Sequence, residues 1–155
     1  MTENPVYHAF TTKSEQLVKR LINEATILYG DESLKARALW DTGATGTCIS
    51  TEVANKLSMV PTGKQTISTP SGCKEVNTYL VSVVLPNNVK FQDVVVCDSD
   101  IGSQGIDMLI GMDIILVGDF AVSGYGNQTV FSYRAPAKAR VDFVQQIQLE
   151  KALGQ

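Results

Sequence analysis

The sequence predicts an all-β fold, a barrel or a sandwich. Two observations carry this expectation. Short segments rich in β-branched and aromatic residues recur along most of the chain. Turn-forming clusters separate them at close spacing, among them Gly30-Asp31-Glu32-Ser33, Pro61-Thr62-Gly63, Pro86-Asn87-Asn88 and Gly124-Tyr125-Gly126-Asn127. No internal repeat or low-complexity segment interrupts this pattern.

The elements read as follows. Val6 to Thr12 is short and extended in character. Leu17 to Ile22 alternates imperfectly and is read as a strand, because Thr26, Ile27 and Tyr29 continue the β-branched and aromatic bias. A helix from Ser14 to Glu24 is the alternative, since Leu17, Leu21 and Leu28 also fit helical spacing. Leu34 to Trp40 is a strand running into Asp41. Thr51 to Leu57 reads as one or two helical turns, with Ser50 or Thr51 as cap and Glu52 in the first turn. Gln65 to Thr69 and Lys74 to Leu85 form a hairpin around Pro70-Ser71-Gly72. Val89 to Cys97 and Ile106 to Ile110 are strands, with a glycine-containing acidic loop between them. Gly111 to Val117 reads as a short helical segment. Phe120 to Ser123 and Thr129 to Arg134 form a second hairpin. Arg140 to Leu153 looks helical, with Val141, Val144 and Ile147 on one stripe.

Composition narrows the function. The 155 residues carry 13 Lys+Arg and 16 Asp+Glu, a formal net charge of −3. That is ordinary globular usage, enough for one domain with a real core and too short for two large catalytic lobes. The mild acidity and the absence of a dense Lys/Arg cluster argue against nucleic acid as a partner. No apolar run approaches the roughly 20 residues of a membrane helix, so no membrane partner is expected. The N-terminus has no basic region followed by an apolar core, so no secretory signal is expected. Cys48, Cys73 and Cys97 form no Cys-x-x-Cys pair and no metal spacing. They read as reduced thiols of a cytoplasmic protein, and no cofactor or metal is expected. His8 stands alone near the N-terminus, with no local motif for a Ser-His or Cys-His hydrolase.

One stretch carries chemistry. Asp41-Thr42-Gly43-Ala44 places a carboxylate directly after a hydrophobic strand and before a small-residue turn. By itself this also suits an ordinary strand end, with Asp41 capping a turn. Much later, Leu109-Ile110-Gly111 precedes a short helical segment. Together, and in this order around the hairpin at Gly72, these pieces resemble the retropepsin-like aspartic proteases. The resemblance covers roughly residues 34–134.

The resemblance implies a closed β-barrel with a flap hairpin, and short helices after the catalytic loop and near the C-terminus. It implies one retropepsin-like domain over residues 1–155, with a core at about 34–134 and an extension at each end. It implies a peptide-hydrolysing dyad of two carboxylates that share one proton. The chain has a single Asp-Thr-Gly, so one chain holds half a site. A homodimer about a two-fold axis, each copy giving Asp41, is the solution the resemblance offers.

Residue by residue, the resemblance makes Asp41 catalytic, with Thr42, Gly43 and Ala44 supporting the active-site loop. The hydroxyl of Thr42 would lock the two loops across the axis. Gly43 would leave room for the substrate backbone, and the N–H groups of Gly43 and Ala44 would donate to the carboxylates. Leu39 shares a strand face with Asp41 and would contact substrate, while Trp40 points the other way, into core or interface. Thr69, Pro70, Ser71 and Gly72 would form the flap tip over a bound peptide. Leu109, Ile110 and Gly111 would support the Asp41 loop from behind.

The chain departs from the viral pattern at two positions. Those enzymes often carry an Asp after Asp-Thr-Gly-Ala and an Arg after the aliphatic-aliphatic-Gly motif; here stand Thr45 and Met112. Gly111-Met112-Asp113 looks closer to retrotransposon-type or cellular relatives. Asp113 is expected to start the short helix as a favourable N-terminal acid rather than to bond the loop. Two other readings stay open at this level. One is a catalytically silent dimeric peptide-binding domain of the same fold. The other is a structural β-domain in which the motif is coincidence.

Overall fold

The computed structural model describes residues 2–154. Ten strands and three α-helices follow in chain order: β1 (His8–Lys13), β2 (Ile22–Tyr29), β3 (Glu32–Trp40), β4 (Cys48–Ser50), α1 (Thr51–Lys56), β5 (Gly63–Thr69), β6 (Gly72–Leu85), β7 (Val89–Ser99), β8 (Met108–Ile110), α2 (Met112–Ile115), β9 (Asp119–Ser123), β10 (Val130–Ala135) and α3 (Phe143–Ala152).

Six strands close into a barrel in the order β2-β3-β8-β4-β7-β6, and pairing of β6 with β2 completes the ring. Closure leaves these six without an open edge. The pairings β3–β8 and β4–β7 are parallel, whereas β2–β3, β4–β8, β6–β7 and β6–β2 are antiparallel. β6 makes closure possible. Its outer half pairs with β5 from Gly72 to Thr78, and its inner half pairs with β7 and β2. An irregularity between Val81 and Val83 marks the bend. A second sheet, β1-β10-β9, packs on the barrel.

The core lies between these layers. Alternation along β3 sends Ala36, Ala38 and Trp40 inward, all buried. Trp40 is the centre of an aromatic cluster. Its ring stacks on Phe120 at 5.2 Å and meets Tyr133 at 5.1 Å, Phe10 at 5.8 Å and Phe131 at 6.1 Å. The cluster joins β3 of the barrel to all three strands of the outer sheet, one residue before Asp41.

Local chemistry fixes the short helices. The Ser50 hydroxyl accepts from the Val53 N–H, capping α1 at the site the sequence offered for it. Tyr133, wholly buried, donates its hydroxyl to the Ile114 carbonyl at 2.7 Å and ties β10 to α2. Tyr133→Phe is expected to cost about 0.5–1.5 kcal/mol, read as a lowered urea midpoint, because only the hydrogen bond is lost.

The segment before β2 corrects the sequence reading. Leu17 to Leu21 is neither strand nor helix, and β2 starts at Ile22. The Leu21 carbonyl accepts from the Trp40 N–H at 2.9 Å, and the backbone of Val18 is satisfied by a side chain instead of a ladder. The Val18 N–H donates to Thr129 Oγ1, and that hydroxyl donates back to the Val18 carbonyl. Leu17 is exposed, so the ambiguous periodicity reflected no buried stripe.

Asp119 organises the exit from the barrel. Its carboxylate accepts from Arg134 Nε, from the Lys138 N–H at 2.8 Å and from the Ala139 N–H. The Lys138 N–H, followed by Arg134 and Ala139, holds the Asp119 carboxyl below the usual carboxylate range, against the opposing effect of desolvation. A depressed folded-state value means stabilisation that is complete above the ordinary carboxylate range and is lost as pH falls through the lowered value. Asp119→Asn should therefore flatten the acid limb of a urea-midpoint-versus-pH curve, while leaving the curve's shape near neutrality unchanged. Beyond this anchor α3 starts at Phe143, with the Asp142 carboxylate accepting from the Gln145 N–H. None of its side chains is buried; Phe143, Val144, Ile147 and Leu149 face outward. Its apolar residues therefore do not pack on the chain's own core.

Candidate active site

Asp41 sits where β3 leaves the barrel. Its N–H donates to the Ile110 carbonyl at 2.9 Å, so the parallel ladder between β3 and β8 ends on this residue. The chain then turns. The Gly43 N–H donates to Asp41 Oδ1 at 2.8 Å, and the Ala44 N–H donates to the Asp41 backbone carbonyl at 3.2 Å. Of the two N–H groups expected on the carboxylate, Gly43 reaches it. Ala44 instead closes the turn, because its N–H lies over the main chain. A side chain at Gly43 would stand 3.1 Å from Asp41 Oδ1, tighter than ordinary contact. The Asp41 side chain is partly exposed, and Thr42 is exposed on the outer side of the turn.

The loop is braced from behind. The Met112 N–H donates to the Ala44 carbonyl at 2.8 Å. Thr47, almost fully buried, donates its hydroxyl to Asp113 Oδ1 at 2.7 Å, and its N–H donates to Asp113 Oδ2 at 3.1 Å. The same Thr47 hydroxyl accepts from the Gly111 N–H at 3.2 Å. Asp113 thus bonds the loop as well as standing as the acid in the first turn of α2, whereas the sequence reading favours the second role over the first. It does accept from the Ile114 N–H as well, but two of its bonds go to Thr47, 66 residues away. Thr47→Val removes the hydroxyl bridge between Asp113 and Gly111 while keeping volume. It should lower stability by about 1–3 kcal/mol, read as a urea midpoint, because buried partners lose their bonds.

Gly111 is required for its lack of a side chain. A methyl group there would overlap the Gly46 carbonyl and stand 3.0 Å from the Ala44 oxygen. Gly111→Ala should push the Asp41 loop outward at a cost of about 1–3 kcal/mol, again read from unfolding.

Leu39 and Leu109 are direct partners in the parallel pairing of β3 with β8, and both are half-buried. They lie on the side of the sheet opposite buried Trp40 and Ile110. Leu109 therefore shares the face of Leu39, while Ile110 and Gly111 stand behind the loop. The pleat separates neighbours that the motif had grouped as one brace.

The flap hairpin is present. Thr69 pairs with Gly72 across the two-residue turn Pro70-Ser71, and Gly72 has φ 122°. The Thr69 hydroxyl donates to the Gly72 carbonyl at 2.8 Å. A cleft of about 440 Å³ lies between the Asp41 loop and β5, lined by Gly43, Ala44, Gly46, Cys48, Ile67 and Val95 among others. A second hollow of about 670 Å³ opens on the outer side, beside Thr42, Met112, Phe120 and Val141. His8 is exposed in β1 of the outer sheet. Among the described residues, no group of three or more His, Cys, Asp or Glu could hold a metal ion. No helix among them is long and apolar enough to cross a membrane.

A closed six-stranded barrel, a flap hairpin and an Asp-Thr-Gly loop backed by an aliphatic-aliphatic-Gly strand define a retropepsin-like protein. Residues 24–114 match the aspartyl protease family, and the chain belongs to that family. Among solved structures it is similar to a retropepsin-like aspartic protease from Rickettsia conorii. That likeness has 18% identity and a TM-score of 0.57, over 86% of this chain and 99% of that chain. It is also similar to the Simian foamy virus protease, at 26% identity and a TM-score of 0.42, over 60% of this chain and 89% of that one. A third likeness is to the retroviral protease-like domain of Ddi1 from Leishmania major, at 18% identity and a TM-score of 0.45, over 68% and 82% of the two chains. The Rickettsia structure bears on the fold, and the other two superpose too loosely to add to it. No curated protein matches the chain in sequence comparison.

Proposed function

We propose that the chain is an aspartic endopeptidase that acts as a homodimer, each copy giving one Asp41 to a shared dyad. The observation that carries this reading is the Asp41 carboxylate itself. It is held by the Gly43 N–H, partly exposed on a loop whose Gly43 and Ala44 line the cleft facing β5, and present once per chain.

Two carboxylates about 3 Å apart resist ionising together, so between the loss of the first proton and the loss of the second they share one. The ionised member takes a proton from water. The resulting hydroxide attacks the carbonyl carbon of the scissile peptide bond. The protonated member hydrogen-bonds the carbonyl oxygen as negative charge develops there. A proton then passes to the departing amine nitrogen, and the C–N bond breaks. Thr42 carries the contact across the axis. Leu39 and the flap residues Thr69, Pro70, Ser71 and Gly72 hold an extended peptide over the dyad and exclude water.

The exposed apolar residues of α3 and the hollow beside Thr42 offer surface for the second copy. The working unit in this reading is the single domain of residues 1–155, with no cofactor, and its setting is the cytoplasm.

The test is cleavage of an unstructured polypeptide across a pH series, with fragments identified by mass spectrometry. The rate should be high while one proton remains on the pair and fall as rising pH ionises both carboxylates. A rate that climbs steadily into the alkaline range would count against the dyad. Binding of extended peptides without any cleavage would favour a silent binding domain.

A further inference from the structure

Cys48 and Cys97 are 49 residues apart in the chain, yet their Sγ atoms lie 2.9 Å apart. The register explains this. Parallel pairing of β4 with β7 sets Cys48 directly opposite Cys97, so both side chains leave the same face. Paired strands lie roughly 4.7–4.9 Å apart, within the roughly 4.4–6.8 Å that separates the Cα atoms of bonded cysteines. The backbone is already in place for a covalent link.

The pair is also primed electrostatically. The hydrogen bond between the two sulfurs lowers the Cys97 value although burial opposes it. The same bond to Cys97, followed by burial, pushes Cys48 up. Of the two thiols, Cys97 is therefore the more readily ionised. Both residues line the cleft between the Asp41 loop and β5, which gives a small reagent access. Cys73 differs: it is exposed beside the flap tip and pairs in register with Ser68.

We propose that Cys48 and Cys97 are a reversible oxidation site in the wall of the cleft, taking a hydroperoxide as oxidant and a small dithiol as reductant. The Cys97 thiolate attacks one peroxide oxygen. An S–O bond forms, the O–O bond breaks, and the hydroxide that leaves becomes water with the proton that Cys97 released to solvent on ionising. The Cys48 sulfur then attacks the Cys97 sulfur. The S–S bond forms, the S–O bond breaks, and the departing hydroxide takes the Cys48 proton as a second water. Two thiols and one hydrogen peroxide give one disulfide and two waters. The link fastens β4, which directly follows the Asp41 loop, to β7 and replaces two thiols in the cleft wall.

The test treats the full chain with hydrogen peroxide, followed by intact mass measurement and non-reducing digestion. The expected result is a loss of ~2 Da, two hydrogens, reversed by dithiothreitol. A peptide joining Cys48 to Cys97 should appear. Cys73→Ser should keep the link, and Cys48→Ser or Cys97→Ser should lose it. Separate sulfenic or sulfinic acids at Cys48 and Cys97, or links through Cys73 alone, would overturn the proposal. This readout needs no peptidase activity, so the link should also form in the Asp41→Asn chain. The consequence for the cleft rests on the peptidase reading. There, oxidation should raise KM for a peptide by roughly twofold or more, with recovery on reduction. A link that forms and leaves KM unchanged would overturn that consequence.

Discussion

Asp41→Asn is expected to abolish peptide cleavage and leave the fold standing. The substitution keeps the shape of the side chain. Its amide oxygen can still accept from the Gly43 N–H, the bond that the carboxylate makes at 2.8 Å. The loop bonds behind it, from Met112 to Ala44 and from Thr47 to Asp113, do not involve the Asp41 side chain. An amide, however, neither takes a proton from water nor gives one to an amine. Positioned acid–base groups typically contribute about 10²–10⁴-fold each, and a homodimer loses both at once. The check is a cleavage assay run beside near-ultraviolet circular dichroism and urea unfolding. Turnover within tenfold of the parent, in a folded variant, would move the chemistry elsewhere.

Trp40→Ala should destabilise the fold by about 3–5 kcal/mol, more than Thr47→Val, Gly111→Ala or Tyr133→Phe. The side chain is 4% exposed and meets four aromatic rings from β1, β9 and β10. Removing it leaves a cavity at the junction of the barrel and the outer sheet. It also takes away the indole N–H that donates to Asn23 Oδ1 at 3.0 Å. Asn23 Nδ2 is already buried without a partner among the described residues, so the whole amide would be left unsatisfied. Trp40→Phe keeps ring contacts and loses the donor, so its cost should be clearly smaller. Urea unfolding of the three proteins orders them. Because Asp41 follows Trp40 directly, the alanine variant should also lose cleavage, through displacement of the loop rather than loss of a catalytic group.

The site motif was legible because its chemistry constrains residue type over four adjacent positions. Asp41 supplies the carboxylate that the Gly43 N–H holds, and Gly43 and the later Gly111 stand where a side chain would crowd the loop. The strands of the barrel were legible from β-branched runs between turns, and the flap from Pro70-Ser71-Gly72. What stayed hidden was the long-range pairing. Nothing local to Asp113 announces Thr47, and nothing local to Cys48 announces Cys97; the first follows from the antiparallel pairing of β4 with β8 and the second from the parallel pairing of β4 with β7. The Leu17–Leu21 segment misled for a related reason. The backbone of Val18 within it is held by the side chain of Thr129, which no periodicity records. The strand period alone separates Leu109 from Ile110, whereas the motif reads as one unit.

Catalysis in this reading needs a second copy of the chain to complete the site. Specific activity measured over a dilution series, alongside sedimentation on the same samples, tests this most directly. Activity per chain should fall in proportion to the dimer fraction and vanish in the monomer. Constant activity per chain in a sample that sediments as monomer would contradict it.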